Sequence, residues 1–193
     1  MKKKITEENA AGMVLDALLK QTEKSWEEIW LTLQDLLGKT SRPLTDKNYA
    51  RLNFLLATIA LNMRAGFDVY DKARAERLMT YMVKILEKLF GEGEKFETVR
   101  TSLMRYIEAY NQGIYNIRNP VIDVSMVMFG MMDQEAMMLK IVGEANARPL
   151  TQPVLQFLTN SLMLFAGKWE IINNNFDVVV RSQQPGGKAP PTR

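Results

Sequence analysis

Two residue types that are missing set the chemistry open to this chain: its 193 residues include no cysteine and no histidine. That removes disulfides, thiolate nucleophiles, Cys-ligated zinc and iron–sulfur sites, imidazole general bases and the Ser-His-Asp triad. It also removes the carboxylate–histidine di-iron centre of helical bundles. Carboxylate, lysine, tyrosine, serine and threonine chemistry remains, with hard cations on oxygen ligands. No cofactor is expected, and the residue set leans away from catalysis.

Three groups of side chains are left as candidates. Met126, Met128, Met131, Met132, Met137 and Met138 place six methionines in 13 residues, with Phe129 among them. Methionine is unbranched and polarizable, so such a cluster can mould to a changing apolar partner. The same residues would also suit a helix buried on every side. Arg74, Arg77, Tyr81, Lys84 and Lys88 fall along one flank of a helix. They form a candidate contact for phosphate or an acidic partner, with Tyr81 available for stacking. Glu76 and Glu87 dilute that field, and the row also fits the wet side of an amphipathic helix. Trp26 and Trp30 stand one turn apart on an inward stripe and are expected in the core.

The third group is acidic. Glu94-x-x-Glu97 followed by Glu108-x-x-Asn111 resembles the paired acidic motif of the all-α nucleoside triphosphate pyrophosphohydrolases. It departs from that pattern at Asn111, where an aspartate is expected. The resemblance implies clustered carboxylates from neighbouring helices that hold magnesium for attack on a phosphoanhydride. On a single helix, however, Glu97 and Glu108 stand ~16 Å apart along the axis. Groups that distant cannot share an ion whose ligands lie at ~2.1 Å. Beside Arg100 and Arg105 they make ordinary surface pairs. Gly91-Glu92-Gly93 is a helix connection rather than a phosphate loop.

Net charge narrows the partners. The formal charge is +3, yet Lys2, Lys3, Lys4, Arg181, Lys188 and Arg193 lie at the two ends. Residues 5–180 carry 19 basic against 22 acidic side chains, a net of −3. A body-wide phosphate-binding surface does not follow, and no specific nucleic acid is predicted. Glu7 and Glu8 interrupt the start where a secretory signal needs an apolar run. No segment reaches the ~20 apolar residues of a spanning helix. The expected location is the cytoplasm.

The elements that must carry these residues read as helices throughout. Hydrophobic residues make up 47% and charged ones 24%, a balance that suits one globular domain. A short helix over 6–21 carries Val14, Leu15 and Leu18. Ser25 with Glu28 predicts a capping box and a second helix, ending at Gly38. Thr45 or Asp46 caps a third over 46–66. Its two apolar strips, Leu52–Leu56–Ile59–Met63–Phe67 and Phe54–Ala57–Leu61, predict a central position. Asp71 caps a fourth through Phe90, with Leu78, Met82, Ile85 and Leu89 inward. A fifth runs over 94–117, with Phe96, Val99, Leu103, Tyr106, Ile107, Tyr110 and Ile114 aligned. After Asn119-Pro120 an apolar segment spans 121–147, interrupted at 130–133. One last helix carries Val154, Leu158, Leu162, Phe165, Trp169 and Ile172, with Phe157, Leu164 and Ile171 repeating every seven residues beside it.

The reading is therefore an all-α fold: a multi-helix bundle of six or seven helices with short loops. Residues 1–5 form a basic flexible start, 6–177 a single helical domain and 178–193 a flexible Pro/Gly-rich tail. The first expectation for function is a non-catalytic interaction or assembly subunit, with a protein partner or self-association. The second is a small-molecule or phosphate-binding bundle, a magnesium-dependent nucleotide hydrolase included. The third is a peripheral protein on a membrane or apolar inclusion surface.

Overall fold

The computed structural model describes residues 2–39, 44–112, 119–132 and 150–180. Its elements in chain order are β1 (Lys3–Thr6), α1 (Glu7–Gly38), α2 (Lys47–Val69), α3 (Lys72–Phe90), α4 (Glu94–Gln112), α5 (Pro120–Met132), α6 (Gln152–Met163), α7 (Lys168–Asn175) and β2 (Phe176–Val179). The architecture is an all-α multi-helix bundle with a two-strand parallel sheet at one edge. Among the described residues, no helix is long and apolar enough to cross a membrane.

The first correction concerns α1. The helices expected over 6–21 and from Ser25 onward are one helix of 32 residues, about 48 Å long. Thr6 starts it, its hydroxyl accepting from the Asn9 amide at 3.1 Å, with Glu7 and Glu8 favourably placed in the first turn. No glycine or proline interrupts residues 21–25. The buried stripe Val14, Leu15, Leu18, Thr22, Trp26, Ile29, Leu33 and Leu37 crosses the supposed break without losing its spacing. Packing along that whole stripe overrides the local capping pattern at Ser25.

Helix α2 is central, as its two apolar strips require. Asp46 caps it through the Tyr49 amide at 2.8 Å, and every residue from Asn53 to Met63 is buried. It packs against all six other helices of the described residues. Asp71 caps α3 through the Arg74 amide at 3.0 Å. Leu78, Met82 and Leu86 face inward; Leu89, expected beside them, is 56% exposed in the final turn. Gly91 and Gly93 (φ 84° and 85°) then turn the chain into α4.

In α4, Phe96, Val99, Leu103, Tyr106 and Ile107 are buried; Ile114 lies outside the described residues. Pro120 opens α5 at the position that loses no helical hydrogen bond. The expected interruption at 130–133 does not begin at Gly130, since α5 continues through Met132.

Two further differences shape the C-terminal end. The single last helix is broken into α6 and α7 by a turn over residues 164–167, where Gly167 adopts φ 75°. A left-handed residue cannot continue an α-helix, and glycine adopts that conformation without a Cβ clash. Two short stretches at the borders of the expected flexible start (1–5) and tail (178–193) form strands; residues 181–193 lie outside the described residues. Lys3–Thr6 pair in parallel with Phe176–Val179 in the register Lys3↔Phe176 to Thr6↔Val179. Ile5, Val178 and Val179 are buried by this pairing.

A candidate interaction surface at the α6–α7 corner

The expected basic flank of α3 is divided by the fold. Glu7, at the first turn of α1, is 1% exposed. Arg77 grips it bidentately, Nε to Oε2 at 2.9 Å and Nη2 to Oε1 at 2.8 Å. Arg74 Nε approaches the same carboxylate at 3.6 Å, and its guanidinium lies 5.8 Å from the centre of the Tyr70 ring. The hydrogen bond to Glu7 holds Arg77 still more firmly protonated than a free guanidinium. Two of the five residues are therefore occupied in joining α3 to the start of α1. Tyr81 is half-buried against the core, and Lys84 and Lys88 remain exposed.

The methionine-rich segment points the other way. Met128, Phe129, Met131 and Met132 are buried where α5 meets α2, α4 and α6; Met126 is half-buried. Met137 and Met138 lie outside the described residues. The placed members pack the interior, as a helix apolar on every side would. Asp123, not among the candidate residues of the sequence, shares that interior, and neither of its carboxylate oxygens has a hydrogen-bond partner among the described residues.

The acidic motif stays on the surface. Glu97 pairs with Arg100 at 3.3 Å, and Glu97, Arg100, Arg105 and Glu108 line one shallow depression on α4. Among the described residues, no three acidic side chains converge to hold a metal ion. Trp26 is buried and Trp30 half-buried, their ring centres 6.0 Å apart, as a core role requires.

What stands out instead is the corner between α6 and α7. Met163, Leu164 and Ile171 are 57%, 72% and 57% exposed. Three large apolar side chains within nine residues thus face water around one turn. The turn is held in place. Its Leu164 carbonyl accepts from Gln21 Nε2 of α1 at 3.1 Å, and Lys168 Nζ donates to Gln21 Oε1 at 2.6 Å. Burial lowers the Lys168 pKa from its ordinary value. Beneath the corner, Phe165 meets Phe54 edge-on at 5.2 Å, and Trp169 donates to the Asn62 carbonyl at 2.7 Å. The chain matches no protein-family model, no curated protein and no solved structure.

Basic charge lies at the far end of α7 from this turn. Lys2 Nζ donates at 2.6 Å to the Asn173 carbonyl in the last turn of α7, where the helix dipole favours a cation. The β1–β2 pairing thereby holds Lys2, Lys3 and Lys4 exposed beside α7. Sequence reasoning missed the corner because Leu164 and Ile171 lie on an apolar repeat that reads as inward. The one available signal was Gly167, set between them.

Proposed function

We propose that this chain is a non-catalytic helical subunit that associates with a protein partner, a second copy of itself included, through the α6–α7 corner. One observation carries the reading: Leu164 is 72% exposed on a turn whose backbone is tied to α1. Burying a leucine is worth roughly 1.5–3 kcal/mol, so a rigid turn that keeps one in water stores that free energy for association. A fixed apolar projection with a polar rim is the usual anatomy of an anchor residue.

A photo-crosslinking residue at position 164, compared with one at position 84 on α3, tests the assignment in the native cell. A discrete adduct specific to position 164 supports it, and sedimentation of the purified chain shows whether that adduct is a second copy. Equal labelling from both positions, or none from 164, overturns it.

A second reading rests on the lysines. Lys2–Lys4, exposed near the C-terminal end of α7, also suit an anionic lipid surface, where each basic residue contributes ~1 kcal/mol. Flotation with phosphatidylserine vesicles that is lost in 0.5 M salt (on the order of three times physiological strength) would favour lipid over protein.

A further inference from the structure

The α1–α2 face carries a ladder of opposite charges with one open rung. Glu27 of α1 pairs with Lys47 of α2. One turn along, Glu23 and Arg51 occupy the equivalent positions on these antiparallel helices. Both are exposed, and neither has an ion-pair partner among the described residues. Where the rung is missing there is a cleft of about 360 Å³, which reaches the size of small-molecule sites. Its walls are Leu19, Leu52, Leu55 and Phe90, with Asn48 and the two unpaired charges at the rim.

A second observation falls at the same place. Thr22 lines the cleft, is 3% exposed, and its hydroxyl has no hydrogen-bond partner among the described residues. Threonine in a helix commonly bonds the carbonyl one turn back. Thr32, Thr80 and Thr98 do so here at 2.9, 2.9 and 3.0 Å. Thr22 does not, although it is more deeply buried than any of them.

From this arrangement we infer that the α1–α2–α3 cleft binds the free zwitterion of an apolar α-amino acid. Glu23 receives the ammonium group, Arg51 the carboxylate, and the leucine and phenylalanine walls the side chain. An aliphatic acid would leave Glu23 facing an apolar or negative group, and an aliphatic amine would do the same to Arg51. Only a ligand with both charges closes the rung. Arginine suits the carboxylate side because its planar fork matches two oxygens at once.

Titration of the isotope-labelled full chain with L-leucine and L-phenylalanine, followed by amide resonances, tests the inference. Saturable shifts confined to residues 19–23 and 48–55 are expected. N-acetyl-L-leucine and L-leucinamide, each lacking one charge, should bind about tenfold more weakly, which is ~1.4 kcal/mol. Glu23→Gln should abolish the preference over the N-acetyl compound, and Arg51→Gln the preference over the amide. Both positions are exposed, so each variant should keep the parent circular dichroism spectrum and melting temperature. No saturable shift with either amino acid overturns the inference. So do analogues that bind as well as leucine, or variants that leave both preferences intact.

Discussion

The seam beneath α2 and the corner after α6 treat polar and apolar groups in opposite ways. In the seam, several polar groups are drawn inside and bonded, while Asn62 Oδ1 and the Asp123 carboxylate have no partner among the described residues. The Tyr106 hydroxyl donates to Asn53 Oδ1 at 2.7 Å, Asn62 Nδ2 bonds the Thr58 and Phe165 carbonyls, and Trp169 bonds the Asn62 carbonyl. At the corner, Met163, Leu164 and Ile171 stand in water while the backbone between them is tied to α1. An unbonded polar group in the seam would cost about 1–3 kcal/mol, so its partners fix one packing of the helices. An exposed leucine costs the fold little. The seam thus supplies stability, and the corner supplies a surface whose apolar area is still available.

Breaking the seam at its largest side chain should have the largest effect. Trp169 is 1% exposed, lies edge-on to Tyr70 at 5.8 Å, and rests over Gly66, where a Cβ would come within 3.4 Å of the indole nitrogen. Trp169→Ala should destabilise the chain by roughly 3–5 kcal/mol. Urea unfolding should show this as a lower midpoint with unchanged slope. A loss below ~1 kcal/mol would mean that the seam is not organised around this residue.

The link between α3 and the chain's start should come next. Arg77→Ala removes the bidentate partner of the buried Glu7 carboxylate and leaves Arg74 at 3.6 Å, at a cost of about 2–3 kcal/mol after allowing for the half-exposed Arg77 side chain. Glu7→Gln combined with Arg77→Met should recover part of that loss, because the buried carboxylate is then gone, while Arg74 loses the partner it approaches at 3.6 Å. If the single variant melts like the parent, Glu7 is solvated and the ion pair contributes nothing to the seam.

Tyr106→Phe should cost less, about 1–2 kcal/mol at neutral pH, because Asn53 Oδ1 loses its donor. Its signature is in alkali. Burial holds the Tyr106 hydroxyl well above its ordinary pKa of 10.0. The folded chain keeps that proton where the unfolded chain releases it. The stability it contributes is therefore complete below pH ~10 and is lost as pH rises toward the folded-state pKa. Comparing urea midpoints at about pH 8 and about pH 10.5 should show a smaller alkaline loss in the variant. Tyr70 and Tyr110 are raised in the same direction by burial, so part of the slope should persist.

Local signals in the sequence were legible; distant pairings were not. The Asp46 and Asp71 caps act within three residues, so the sequence alone shows them. The two apolar strips of α2 demand neighbours on both sides, and its central place follows. By contrast, β1 and β2 are four residues each and pair across more than 170 positions, too short for alternation and too far apart for a turn signal. Arg77 reads as surface charge until Glu7, 70 residues earlier, is brought beneath it. At the candidate surface, the seven-residue repeat of Phe157, Leu164 and Ile171 suggests an inward strip. Gly167 breaks the helix within that repeat, leaving Phe157 against the core and the other two outside.

The smallest expected effect on stability is also the one that separates the two regions most sharply. Leu164→Glu places a charge where the side chain is already 72% exposed and touches none of the bonds that tie the turn, since Gln21 binds the backbone carbonyl. Its melting temperature should match the parent's, with a change in stability below ~0.5 kcal/mol. Association should respond differently, because a carboxylate forced into an apolar contact must be desolvated without a partner. Crosslinking from position 163 or 171 should then fall at least about tenfold, the equivalent of ~1.4 kcal/mol. Should the variant instead unfold several degrees early, Leu164 belongs to the core and the corner is an extension of the seam. Unchanged stability together with unchanged crosslinking would leave the exposed leucine without any role in binding.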